Sequence, residues 1–164
     1  KKTNQIAQSG IGFVPQGRRL FPSLTVEEHL NMSFNPKQSN KWNPEKIYDI
    51  FPELNRRKKN KGTNLSGGEQ QMLAIGRALV TNPKLLIMDE PLEGLAPVAA
   101  KKVVEVSQQL KGEGLSILWV EQKVKNTKNI TDRVFILEKG KIVYKGKSED
   151  FDNNQKVKKE HLGV

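Results

Sequence analysis

Three places in this chain carry residues whose types and spacing could do chemistry. Asp89 and Glu90 follow the apolar run Leu85-Leu86-Ile87-Met88, two adjacent carboxylates where a buried strand would end. Ser66-Gly67-Gly68-Glu69 precedes an apolar stretch, as a glycine-rich turn opening a helix would. Gln16 lies just past the β-prone run Ile11-Gly12-Phe13-Val14, which Pro15 stops. Backbone amides at a helix N-terminus favour anions, and glycines let a phosphate approach the main chain. Ser66 can add a hydroxyl donor. Open α/β sheets bind ligands beyond the C-terminal ends of their strands, where Asp89 would stand. Phosphoryl transfer from ATP needs these parts: donors on the phosphates, a magnesium ion, and a group that orients the attacking water. Asp89 is the expected magnesium-linked carboxylate, acting directly or through a coordinated water, and Glu90 the group that polarises the attacking water. The bland alternatives are a strand that merely ends in acids and a serine that merely caps a helix. An isolated Asp-Glu-Pro would favour the first, but not beside the glycine turn, and the run Leu-Ser-Gly-Gly-Glu-Gln-Gln is too particular for the second.

The elements that must position these residues are legible as an alternation of strands and helices, hence an α/β sheet. Thr25 can cap a helix, with Glu27 and Glu28 in its first turn suiting the helix dipole, and Asn43-Pro44 starts a second. Ile47, Ile50, Phe51 and Leu54 repeat on one face, so residues 25–63 read as a small helical unit inserted after the first strand. From Glu69 to Thr81 the pattern is helical and apolar nearly all round, predicting a buried helix. Leu85–Met88 is a continuous apolar run, as expected in the middle of a parallel sheet covered on both faces. Pro97 opens a further helix that Gly112 and Gly114 end, and Ser116–Val120 is expected to be a second buried strand. Val134–Leu137, Lys139-Gly140 and Ile142–Tyr144 read as strand, tight turn and strand. Trp42 and Trp119 are expected to be packing residues. His29 and His161 are expected on a surface or helix face.

Composition narrows the field further. The chain has 164 residues, long enough for a domain with a sizeable core, and no cysteine, which excludes disulfides and thiolate metal sites. No signal peptide is expected, and no apolar stretch in these 164 residues is long enough to cross a bilayer. Net charge is +10, and Arg56-Arg57-Lys58-Lys59-Asn60-Lys61 is the densest basic run, read as a solvated helix end. Lys1-Lys2-Thr3 lacks a start methionine and leads almost directly into the first strand. Val157–Val164 reads as a short terminal helix. The expectation is the C-terminal part of a larger cassette.

Leu65-Ser66-Gly67-Gly68-Glu69 resembles the signature motif of ABC-type ATPases, Leu85–Glu90 their Walker B strand, and Gln16 their Q-loop glutamine. Taken with Pro15–Glu28, Glu93-Gly-Leu-Ala-Pro97 and Val120-Glu-Gln122, the chain is similar to the smaller ATPase subunit of branched-chain amino-acid importers. That resemblance covers nearly the whole chain. It implies a RecA-like, P-loop-NTPase-type parallel sheet core with an inserted helical subdomain at 25–63. Residues 11–24 and 64–164 would form the α/β core and tail of a partial nucleotide-binding domain spanning 1–164. It implies ATP and Mg2+ as cofactors. Gln16 would contact magnesium and water and couple them to the membrane subunit. Leu65, Ser66, Gly67, Gly68 and Glu69 would bind nucleotide, with Ser66 and Gly68 gripping the γ-phosphate held by the opposite subunit. Gln122 stands where many relatives carry a switch histidine; a glutamine can donate through its amide but cannot titrate. The implied partners are a second ATPase subunit paired head to tail, transmembrane permease subunits and, indirectly, a solute-binding protein. The implied location is the cytoplasmic face of the cell membrane.

The departures from the resemblance matter as much. No Gly-x-x-x-x-Gly-Lys-Ser/Thr loop precedes Gln16, and the adenine-stacking aromatic of the family is also missing. Gly140–Ser148 is a decoy, with five residues between its glycines and a strand pattern in the middle. The chain alone is therefore expected to be inactive. A nucleic-acid- or ribosome-associated ATPase is a second reading, prompted by the charge. Only 48 residues lie between Gln16 and Leu65, without sustained heptads, which counts against the long coiled-coil members of that group. A third reading is a non-catalytic remnant, against which intact Gln16, Ser66, Asp89 and Glu90 argue.

Overall fold

Three apolar runs become three parallel strands, β1 (Ile11–Val14), β2 (Leu85–Asp89) and β3 (Ser116–Val120), ordered β1-β2-β3. The structure is a computed structural model that describes residues 2–37, 41–122 and 130–163, in two compact units, Lys1–Gln122 and Lys123–Val164. Val14 pairs with Met88, and Asp89 with Val120, so all three C-terminal strand ends meet at one edge of the sheet. That edge carries the residue after Pro15, the Asp89-Glu90 pair and Gln122.

Helix α1 (Thr3–Gln8) precedes β1, where the sequence predicted almost no element before the strand. Its six residues carry no acidic first turn and no basic last turn, and Gly10 at φ +88° turns the chain into β1. Helices α2 (Val26–Ser33), α3 (Pro44–Ile50) and α4 (Pro52–Arg56) follow, then a 3-10 turn at Gly62–Asn64. Residues 38–40 of the expected helical unit lie outside the described residues, as do Lys1 and Val164. Helix α5 (Gly67–Leu79) buries Met72, Leu73, Ala74, Ile75, Ala78 and Leu79, as its apolar circumference predicts. Helix α6 (Pro97–Gly112) buries Val103, Val106 and Leu110 and ends beside Gly114 at φ +88°.

The strands correct one expectation. Leu86 and Met88 are fully buried, but Leu85, Ile87 and Asp89 are only half so, and β3 is half-exposed along its length. Register explains it: Val14, Met88 and Trp119 share one face and join the core with α5 and α6. Phe13, Ile87 and Leu118 share the other, where Phe13 is 53% and Leu118 47% exposed. A continuous apolar run therefore reads here as a one-sided strand, with period-two burial. Leu86 and Met88 each contribute about 1.5–3 kcal/mol by leaving water.

Trp42 is buried and clasped, its amide donating to Asn82 Oδ1 at 2.9 Å and its carbonyl accepting from Asn82 Nδ2. Trp119 is partly buried against the same core, in keeping with packing roles for both. His29 lies in helix α2 as expected, but on its fully buried face and not at a surface. Its Nε2 accepts from the Phe21 amide at 2.9 Å and its Nδ1 lies 2.8 Å from the Thr25 carbonyl, so the ring staples α2 to the preceding loop. The basic run begins at the end of α4 and is largely exposed, in keeping with a solvated helix end, while Lys58 and Lys59 both hold Glu27, at 3.0 and 2.7 Å.

In the second unit, β4 (Arg133–Glu138) and β5 (Lys141–Lys147) form an antiparallel hairpin. Lys139 and Gly140, at φ 47° and 79°, make the tight turn that matches strand twist. The decoy Gly140–Ser148 is thus mostly strand β5. Helix α7 (Ser148–Asn153) seats buried Phe151 against Tyr144, and α8 (Gln155–Leu162) is the expected terminal helix. His161 in α8 is partly buried, its Nδ1 3.7 Å from Glu138.

Candidate nucleotide site

Glu90 is the hub of the strand-end edge. Its amide donates to the Val120 carbonyl at 3.0 Å, which carries the β2–β3 pairing one residue past Asp89. It then adopts φ +46°, a left-handed conformation that costs about 1–3 kcal/mol in a non-glycine residue. The kink sends the chain out of the sheet and leaves the carboxylate among two glutamines. Gln16 Nε2 donates to Glu90 Oε2 at 3.3 Å, and Gln122 Nε2 donates to Glu90 Oε1. Gln16 Nε2 also donates to Glu93 Oε2 at 2.8 Å. Three residues predicted separately, Gln16, Glu90 and Gln122, are therefore one hydrogen-bonded cluster. Each Glu90 oxygen receives one amide donor and keeps acceptor capacity for a further proton.

The glycine turn is a capped helix start. Ser66 is the N-cap of α5: its Oγ accepts from the Glu69 amide at 3.3 Å, while Glu69 Oε2 accepts from the Ser66 amide at 2.8 Å. This reciprocal capping box leaves the Ser66 hydroxyl proton free to donate. Partial burial pushes the Glu69 carboxyl up, but the Ser66 donors and Arg57, 3.5 Å away, outweigh it and hold it below the usual range. Gly67 and Gly68 fill the first two helical positions. A Cβ on Gly68 would stand 2.7 Å from Ala99 Cβ, so α6 occupies the space a side chain would need. Leu65 is buried in the core and anchors the turn from beneath.

Two participants went unsingled by sequence reasoning. Glu93 shares Gln16 with Glu90, and the turn closed by Glu93 N to Glu90 O at 3.1 Å puts them side by side. The signal was present: Pro91 at the second position of a four-residue turn predicts that residues 90 and 93 approach. Arg18 reaches both Gln70 and the Glu93 carbonyl, and nothing in the sequence announced its direction.

No group of three or more histidine, aspartate or glutamate side chains that could hold a metal ion occurs among the described residues. Magnesium does not require one, since it keeps waters and phosphate oxygens and takes one or two carboxylates. Asp89 offers a hard oxygen ligand at the strand end. Gln16 commits its nitrogen to carboxylates, and among the described residues nothing donates to its amide oxygen. The residues present fit such an ion.

Comparison with known proteins agrees with this geometry. Residues 1–93 match the family model described as ABC transporter. The chain is 41% identical over 163 residues to the high-affinity branched-chain amino acid transport ATP-binding protein BraG of Pseudomonas aeruginosa, covering 98% of this chain and 70% of that protein. It is 35% identical to the probable branched-chain amino acid transport ATP-binding protein LivF of Archaeoglobus fulgidus, covering 94% and 67%. It is 34% identical to the lipopolysaccharide export system ATP-binding protein LptB of Haemophilus influenzae, covering 96% and 67%. Among solved structures, MJ1267, an ATP-binding cassette of an ABC transporter, superposes with a TM-score of 0.81 at 29% identity, over all of this chain and 72% of that one. Sheet, capped glycine turn and strand-end carboxylates thus occur in one sequence framework, and the chain belongs to the ABC transporter ATP-binding family.

Proposed function

We propose that this chain is the ATP-hydrolysing subunit of an importer for branched-chain amino acids or similar small polar solutes. The observation that carries the site is Glu90 held between the Gln16 and Gln122 amides, one residue beyond Asp89. Glu90 polarises the attacking water with the acceptor capacity its two amide partners leave open. Gln122 aims Glu90 and, once water and ATP are present, turns its amide to the γ-phosphate. Asp89 and Gln16 would hold magnesium, whose charge offsets that of the phosphates. The hydroxyl proton of Ser66 and the amides at Gly67 and Gly68 serve ATP bound by a second subunit facing head to tail. Leu65 and Glu69 hold that turn in shape.

Residues 25–63 act in this reading as the helical subdomain that receives transmembrane permease subunits, placing the chain on the cytoplasmic face of the membrane, with a solute-binding protein engaged only indirectly. Residues 11–24 and 64–164 supply the core and tail. Support for the solute class comes from the similarity to BraG and LivF, both named for branched-chain amino acid transport. The sequence holds no Gly-x-x-x-x-Gly-Lys-Ser/Thr loop, so the chain alone turns over Mg-ATP negligibly. The test compares Mg-ATP hydrolysis by this chain with that of a form extended upstream in frame to include such a loop. Turnover by the extended form only, reduced on the order of 100-fold or more by Glu90→Gln, is the expected result. Equal turnover by both forms, or none by the extended one, would sink the reading.

A further inference from the structure

Gly17, Arg18 and Arg19 take φ angles of 75°, 64° and 44° in succession. Left-handed backbone at two arginines persists only where the surroundings over-determine it. Here Arg77 of α5 does so, donating from Nη1 to the Arg19 carbonyl at 3.0 Å and from Nη2 to the Arg18 carbonyl at 3.4 Å. With the loop pinned from the far end of α5, the Arg18 side chain runs back to the near end. Its Nη1 donates to Gln70 Oε1 at 3.3 Å and its Nη2 to the Glu93 carbonyl at 3.4 Å. The guanidinium lies 3.3 Å from where a Cβ on Gly67 would be. Glu93 therefore receives Arg18 at its main-chain oxygen and Gln16 at its carboxylate. Gln70 in turn donates to the Gly62 carbonyl at 3.0 Å, at the end of the helical segment.

We propose that Arg18 is a positioning residue, whose guanidinium fixes the spacing between the Gln16–Glu90–Glu93 cluster and the Ser66–Gly68 turn. The inference rests on the reading of the chain as an ABC-type ATPase. Arginine suits the task because its planar fork serves two acceptors lying in different directions, which a lysine ammonium on a flexible stem does not. No carboxylate forms an ion pair with Arg18 among the described residues, so geometry rather than charge neutralisation accounts for its placement. The group ties the water-orienting side of the site to the glycine turn, and a displacement of either reaches the other.

Two measurements test this. In the chain itself, Arg18→Ala speeds amide hydrogen exchange together at residues 67–70 and at 93–94, while Leu85–Met88 stays as in the wild type. Unchanged exchange at either loop overturns the proposal. In the extended form, Arg18→Ala lowers kcat about tenfold with KM for Mg-ATP within about twofold, as expected when reacting groups are misplaced rather than unbound. Arg18→Lys does not restore the rate, and adding Gln70→Ala to Arg18→Ala slows it no further. A raised KM with kcat retained would instead make Arg18 a phosphate ligand and sink the positioning role. Absence of turnover in the wild-type extended form would refute the ATPase reading, and the exchange result would still decide the role of Arg18.

Discussion

The chain builds the same capping device twice. Thr25 and Glu28 open α2 with a reciprocal box, Thr25 Oγ1 accepting from the Glu28 amide at 3.2 Å and Glu28 Oε2 from the Thr25 amide at 2.7 Å. Ser66 and Glu69 open α5 identically in pattern. Between the caps, however, the first helix places Val26, fully buried, and Glu27, which holds two lysines. The second places Gly67 and Gly68. Capping accounts for Ser66 and Glu69 but not for the glycines, which cost helix stability up to about 1 kcal/mol each relative to alanine. The difference separates a helix start built for stability from one kept bare of side chains.

The largest effect that would sharpen this comparison concerns Gly68. Gly68→Ala forces its Cβ on Ala99 and should lose about 1–3 kcal/mol by urea denaturation. Adding Ala99→Gly should recover most of it. If ATP turnover in the extended form returns with stability, Gly68 is bare for packing alone; turnover that stays low assigns it to the ligand. Next come the caps: Thr25→Ala and Ser66→Ala should each cost about 1 kcal/mol. Only Ser66→Ala should also impair turnover, and equal functional loss from both would erase the distinction drawn here.

A smaller contrast lies in acid. Burial, with Arg77 nearby, pushes the His29 pKa below its ordinary 6.5, against the pull of the Thr25 carbonyl and Glu28. Its contribution to stability is therefore full above about pH 6.5 and is lost as pH falls through the folded-state value. Urea midpoints at about pH 7.5 and about pH 5.5 should separate for the wild type and draw together for His29→Gln. The carboxylates of both boxes are held below their ordinary 4.5, Glu28 by the Thr25 donors, so their share disappears only at lower pH, below 4.5. The smallest effect is Arg57→Ala, whose partner Glu69 is shared with the second box. The arginine side chain is 53% exposed, and the loss should stay under about 0.5 kcal/mol.

Much of this is legible in the sequence. The strand end at Asp89 and the capped turn at Ser66 stand where the sequence places them because strand ends and capped turns are local events, written in neighbouring residues. The buried face of α5 was equally plain from its composition. What escaped depends on contacts between distant segments. The burial of His29 was not legible because its two partners are main-chain groups, an amide and a carbonyl, which no residue pattern displays. β2 looked covered on both faces because an apolar run does not say which neighbours stand on each side. Arg18 was hidden for a third reason: its course follows from left-handed backbone at non-glycine positions, which sequence disfavours and the grip of Arg77 imposes.

The strand pairings also set an order in time. The Lys139-Gly140 turn joins strands that are adjacent in the chain, so β4 and β5 can zip within microseconds of the turn forming. β1 and β2 cannot, because Ile11 must find Leu85 across the whole helical segment. That closure carries an entropic cost, which earlier collapse of the helices would reduce, since α5 packs against α2, α3 and β1. On loop-closure grounds the edge where Gln16 meets Glu90 is expected to be among the last parts of the molecule to assemble. Slower hydrogen-exchange protection at Ile11–Val14 than at Arg133–Glu138 during refolding would check this. A chain that stalled before then would have its glycine turn capped and nothing opposite it.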